Sequence, residues 1–189
     1  MIEYSKWLSA APAGRTPLRF FLRSCAVGDL PDIVRLQDAV IEALPDRDVF
    51  ARTQECDILE SLEDDVCFGI FCGGVPAAYS IMVTGRPGPR NLGTYLGYGP
   101  GRLSKCLTYD SFFVLPAYRG YGLQRQLCLA QDKAAAQLGA AEALTTVSPY
   151  NRVSLSNLER AGFAFVEERM MYSDLDRLIL RKNFRSAAL

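Results

Sequence analysis

Apolar positions divide the chain into short segments whose periodicity alternates between that of strands and that of helices. Leu18 to Cys25 reads as a strand, and Gly28-Asp29 as a turn into a helix. From Leu30, apolar residues recur at Ile33, Val34, Val40, Ile41 and Leu44, with Gln37 interrupting the stripe and Pro45 ending it, which predicts an amphipathic helix. The polar run Asp46 to Gln54 is a loop, and a second short helix is expected from about Thr53 to Leu62. Val66 to Cys72, Gly73-Gly74 and Val75 to Thr84 form the pattern of a β-hairpin. Further on, Leu107 to Val114 reads as a strand. Leu123 to Leu138 reads as a helix with apolar positions at Leu123, Leu127, Ala130, Ala134 and Leu138, stopped by Gly139, and Ala143 to Val147 as another strand. Such a strand, helix, strand unit predicts two parallel strands joined by a right-handed crossover. Asn151 caps a helix to about Ala161, Gly162 stops it, and Phe163 to Tyr172 and Leu178 to Lys182 are closing strands around Ser173-Asp174. The order βααβββαβαββ combines antiparallel and parallel strands and belongs to the α/β (α+β) class.

A chain of 189 residues accommodates one well-buried core. Pro12, Gly14 and Pro17 break up the first segment, so residues 1–17 are expected to be an N-terminal extension and residues 18–189 a single domain. The stretch Gly85 to Lys105, rich in Gly, Pro and Arg, is a long excursion of the kind that borders substrate sites. Lys plus Arg and Asp plus Glu both total 21, so no global field draws the protein to nucleic acid or an anionic membrane. The absence of histidine excludes histidine-based nucleophilic triads and any imidazole metal site, and no metal is expected. The six cysteines form no CxxC pair and several lie in apolar runs, as expected of reduced, buried thiols. With neither a signal-peptide pattern nor an apolar run of spanning length, the expected compartment is the cytoplasm.

The most informative segment is Pro116-Ala117-Tyr118-Arg119-Gly120-Tyr121-Gly122-Leu123, between a strand and a helix. Its two glycines permit a tight turn that aims successive N–H groups at the start of the helix, where unpaired donors and the helix dipole favour an anion. Arg119 and Arg125 add local positive charge. The turn is neither a dinucleotide fingerprint, because Arg125 stands where the third glycine is needed, nor a Walker loop, because no GK[ST] follows.

With these residues in place, the chain resembles the GNAT superfamily of acyl-CoA N-acyltransferases, whose strand ends in V-x-P-x-[YF]-R-G-x-G and is followed by a helix, a strand and an N-capped helix ending in GF. Here the match is Val114 to Gly122, then Asn151, then Gly162-Phe163, and the element order from Leu18 onward agrees. The resemblance implies a mixed, twisted sheet of six to seven strands flanked by about four helices. It implies acetyl-CoA as co-substrate, its pyrophosphate held by the main chain of Arg119, Gly120, Tyr121, Gly122, Leu123 and Gln124. Phe112, Phe113 and Val114 would pair with the pantetheine arm as an added strand. The strand from Ala143 to Val147 would splay away to leave a slot, with Asn151, Ser154 and Asn157 facing the pantetheine or nucleotide. Asn151 also serves as a plain helix cap, a compatible role. Gln124 departs from the usual Gly or Ala. The customary general-acid tyrosine, four residues before the GF glycine, is Leu158.

Transfer to an amine needs a group to collect the amine's proton. Asp110, on the strand that would hold the coenzyme, is the candidate base or the anchor of the acceptor's ammonium, whereas Tyr109 points to the opposite face. Tyr172 or Tyr150 stands in for the missing acid, or packs in the core. The implied reaction is direct transfer in a ternary complex to a small-molecule or peptide amine; the alternative is a catalytically silent acyl-CoA sensor. The apolar and aromatic closing strands are compatible with a homodimer.

Overall fold

Strands β3 (Val66–Cys72) and β4 (Val75–Val83) form the hairpin expected around Gly73-Gly74, whose φ angles of 57° and 84° are those that a tight two-residue turn demands and that glycine supplies. In the computed structural model, which describes residues 2–184, this hairpin lies near the middle of one mixed sheet. The remaining strands are β1 (Ser5–Ala10), β2 (Leu18–Ser24), β5 (Cys106–Val114), β6 (Glu142–Val147), β7 (Ala164–Met171) and β8 (Leu175–Asn183). The helices are α1 (Leu30–Glu42), α2 (Glu55–Asp64), α3 (Pro100–Leu103), α4 (Leu123–Gln137) and α5 (Arg152–Arg160). Strands are ordered β1-β2-β3-β4-β5-β6-β8-β7, and among the described residues only β5 and β6 pair in parallel, through the crossover helix α4.

The sheet therefore has eight strands, one more than the upper count expected. The addition lies ahead of Leu18: β1 pairs antiparallel with β2 from Ser5↔Arg23 to Ala10↔Leu18. As an edge strand it buries only Leu8 and leaves Trp7 60% exposed, so it carries little of the alternation by which strands are recognised.

Period-two alternation sorts the core into layers. Phe68, Ile70 and Met82 pack with Leu127 and Ala134 of α4 and Leu158 of α5. Cys67, Tyr79 and Ile81 face the other way, toward Leu36 and Val40 of α1 and Ile58 and Leu62 of α2. The excursion between β4 and β5 is fastened to this frame by ion pairs. Arg86 bonds Asp65 and Glu60, and Arg102 makes a two-pronged contact with buried Glu142 at 2.6 and 2.9 Å. Among the described residues no helix is long and apolar enough to cross a membrane.

Candidate active site

The site begins where the parallel strands part. Pairing of β5 with β6 runs from Cys106↔Glu142 to Tyr109↔Thr145 and stops, while β5 continues beside β4 as far as Ala78↔Val114. At the parting the Thr145 hydroxyl donates to the Tyr109 carbonyl at 2.7 Å. A β-bulge sits at the same point: Ser111 opposes Ile81 and Tyr109 opposes Met82, leaving Asp110 without a partner on β4. The extra residue turns Asp110 and Ser111 toward the same face. Asp110 meets Arg90 there and the Ser111 hydroxyl lies 2.9 Å from that of Thr53, whereas Tyr109 points to the opposite face and donates to Asp132 on α4 at 2.9 Å. Beyond the bulge, Leu115 N–H donates to Ala77 on β4. By alternation, the main-chain groups of Phe112 and Val114 are turned to the opened edge.

This edge leads to the glycine turn. Gly120 and Gly122 have φ of 87° and 74°, and Gly122 is the cap of α4 with no side chain satisfying the first-turn N–H groups. A Cβ placed on Gly122 would meet nothing within 4 Å, so the space over the helix start is open. Arg15, from the loop joining β1 to β2, lies across this turn. Its Nη1 donates to the Arg119 carbonyl at 2.6 Å, and its guanidinium carbon is 5.4 Å from the centre of the Tyr121 ring. The Tyr121 hydroxyl in turn donates to the Thr16 carbonyl.

Asn151 caps α5, its side chain accepting from Ser154 N–H at 3.1 Å. The side chains of Ser154 and Asn157 are engaged with Gln124, which donates to Ser154 Oγ at 3.1 Å and accepts from Asn157 at 2.8 Å. Gln124, where a small residue is usual, thus ties the start of α4 to α5.

Between the parted strands lies a cleft lined by Asp110, Ser111, Phe112, Thr146, Asn151, Ser154, Leu158 and Tyr172, with Arg90, Leu92 and the loop from Val49 to Thr53 on its other side. That loop is held down by reciprocal bonds between Gln37 and the main chain of Thr53, both 2.9 Å. Burial pushes the Asp110 carboxyl above the usual carboxylate range, against the pull of Arg90, whose Nη2 is 3.5 Å from Oδ2. Part of the Asp110 side chain, 22% of its surface, still reaches the cleft. Tyr172 starts a turn of three non-glycine residues with positive φ, Tyr172, Ser173 and Asp174. Its hydroxyl sits 3.2 Å from Thr146 Oγ1; although 42% of the residue is exposed, the hydroxyl end is drawn into the cleft, where desolvation and the charge of Asp110 push its pKa up to about 12.

The structure thus gathers Asp110, Phe112, Asn151, Ser154 and Tyr172 around one cleft, with the turn Arg119 to Gln124 beyond the free edge of β5. The Phe113 ring is buried elsewhere, against Tyr79 and Phe50, and Tyr150 is 69% exposed and does not line the cleft. Leu158 is buried. Sequence reasoning missed Arg15, Ser111 and Arg177, a buried arginine in the cleft wall; only their places in the fold bring them here.

No protein-family model and no curated protein matches the sequence, whereas solved structures match it over most of its length. A ribosomal-protein alanine N-acetyltransferase from Escherichia coli is 19% identical, covers 89% of this chain and 96% of its own, and superposes with a TM-score of 0.67. An acetyltransferase of the GNAT family from Streptococcus pneumoniae gives 16% identity, 88% and 99% coverage and a TM-score of 0.66. The PaiA N-acetyltransferase from Thermoplasma acidophilum, solved in complex with coenzyme A, gives 12%, 87% and 99%, and 0.62. The chain has the GNAT acyl-CoA N-acyltransferase fold.

Proposed function

We propose that the protein transfers an acetyl group from acetyl-CoA to a primary amine by direct attack in a ternary complex. The observation that carries this reading is the continuity of an open helix start at Gly122 with a free strand edge at Phe112 and Val114 and a cleft holding a carboxylate. Acetyl-CoA would supply a thioester carbonyl. The main chain from Arg119 to Gln124 binds its pyrophosphate, with unpaired N–H groups and the positive end of the α4 dipole offsetting the charge. The edge of Phe112, Phe113 and Val114 aligns its arm as an added strand, and Asn151, with Ser154 and Asn157, closes the side formed by α5.

In the cleft Asp110 accepts the proton that the acceptor's ammonium must lose, directly or through water, and its raised pKa suits it to that exchange. The amine nitrogen bonds to the acetyl carbon, the carbon–sulfur bond breaks and the sulfur leaves as thiolate, while the nitrogen, on becoming an amide, sheds a second proton to water, which returns it to the group that protonates the sulfur. Tyr172, protonated throughout the neutral range, can give that sulfur a proton. The replacement of the customary acid by Leu158 is tolerable because thiols with pKa near 8.5 leave with little help. An acyl-cysteine route is disfavoured, since burial pushes the thiols of Cys67, Cys106 and Cys128 up to about 12.

Calorimetric titration with acetyl-CoA, followed by release of free thiol in the presence of amines, tests the proposal. Binding and turnover are expected, and absence of binding overturns it. Buried Leu158 favours one other reading, a silent acyl-CoA sensor, for which binding persists and no amine gives turnover. Within the first reading, Arg15→Ala is expected to weaken acetyl-CoA about three- to tenfold, since an exposed cation beside a phosphate contributes modestly. The same titration checks it, and the loss should grow at low salt.

A further inference from the structure

Among the described residues three arginines line the cleft, and two are neutralised. Arg52 pairs with Asp38 at 2.5 Å, and Arg90 lies within 4 Å of carboxylate oxygens of Glu60, Asp65 and Asp110. Arg177 is different. It is only 3% exposed, yet among the described residues no carboxylate lies within ion-pair distance of it. Its contacts are with neutral groups: Nη1 donates to the Asp176 carbonyl at 2.8 Å and Nη2 to the Asp48 carbonyl at 2.9 Å, and the Tyr172 ring centre is 5.9 Å away. A guanidinium has five N–H donors, so part of its capacity is unused. Removing such a charge from water without a direct ion pair is costly, and burial pulls its pKa down against the longer-range charges of Asp48 and Asp176.

Position makes this charge useful. Arg177 lies on β8 beside the turn that carries Tyr172, and Tyr172 responds to the charges of both Asp110 and Arg177. The cleft lining therefore holds a carboxylate at the bulge and a cation with no direct ion-pair partner, which Asp48 and Asp176 influence only at longer range, and a tyrosine that responds to both.

We propose that Arg177 is the anion-binding group of the acceptor subsite, and that the acceptor is a small aminocarboxylate, its amine toward Asp110 and its carboxylate on the Arg177 fork. The planar guanidinium suits two-pronged contact with a carboxylate, and the ligand supplies the direct ion-pair partner that Arg177 lacks among the described residues. This inference rests on the acetyl-transfer reading. Its acceptor carries both charges of the cleft in reverse, which a polyamine or the amide of the same acid does not.

The test compares proteinogenic L-amino acids with their α-amides as acceptors, by thiol release from acetyl-CoA, in the wild type, Arg177→Gln and Arg177→Lys. In the wild type, kcat/KM for the best acid is expected to exceed that for its amide by about tenfold or more. In Arg177→Gln the preference should collapse through a raised KM for the acid, with acetyl-CoA affinity unchanged; Arg177→Lys should keep part of it. If Arg177 merely fastens the Asp48 loop, acid and amide fall together and the ratio survives, which overturns the inference. Equal use of acid and amide by the wild type overturns it without any variant. A protein that binds acetyl-CoA but acetylates neither the acids nor their amides overturns this inference; the acetyl-transfer reading falls with it only if polyamines and peptide amines also release no thiol.

Discussion

Gly122→Trp is expected to weaken acetyl-CoA binding at least about 100-fold, equivalent to roughly 2.7 kcal/mol. The cause is occlusion: an indole on the cap of α4 enters the open space over the first-turn N–H groups, where a pyrophosphate must approach the backbone closely. Backbone strain contributes separately, because Gly122 has a φ of 74°, a region that side chains enter at a cost of about 1–2 kcal/mol. Gly122→Ala separates the two effects. Its Cβ meets nothing within 4 Å, so it carries the strain without the obstruction. Calorimetry should show near-normal affinity in Gly122→Ala and no measurable heat in Gly122→Trp, with both variants folded by circular dichroism. Wild-type affinity in Gly122→Trp would remove the turn from the binding site.

The glycine turn was legible because a turn is a matter of local backbone conformation, which a short run of residues determines. The same holds for the hairpin at Gly73-Gly74 and for the Asn151 cap, whose hydrogen bond to Ser154 spans three positions. The bulge at Asp110 was not legible. It is a mismatch between β5 and β4, and nothing within Tyr109-Asp110-Ser111 reveals how a strand from Val75 to Val83 will pair with it. Asp110 could be chosen from its place on the strand, but the companionship of Ser111 could not, since simple alternation sends the two to opposite faces. Arg15 and Arg177 were missed for a related reason. Arginine in a loop or on a closing strand ordinarily reaches solvent, and only the fold brings one to the glycine turn and buries the other in the cleft wall. Ser154 and Asn157 show the reverse limit. Both lie on the helix face the resemblance indicates, yet their side chains are committed to Gln124.

Asp110→Asn tests the chemistry rather than the binding, and it should lower kcat about 100-fold, within the range that loss of a positioned base ordinarily costs. Affinity for acetyl-CoA should be unaffected, because the turn and the free strand edge are untouched. Stability should move the other way. Burial raises the folded-state pKa of Asp110 above its ordinary 3.8, so the folded protein holds this proton more tightly than the unfolded chain. The associated stability is present at acid pH and is lost as pH rises through the raised pKa. Asparagine never ionises, so at neutral pH the variant should melt at the wild-type temperature or above, and Arg90 retains Glu60 and Asp65 as partners. In the wild type, kcat/KM should climb with pH as Asp110 and the acceptor's ammonium lose their protons; in Asp110→Asn the limb belonging to the carboxylate should disappear. If kcat instead survives and only the acceptor's KM rises, Asp110 anchors the ammonium and the proton leaves through water, a result that relocates the base without disturbing the cleft's charge pattern.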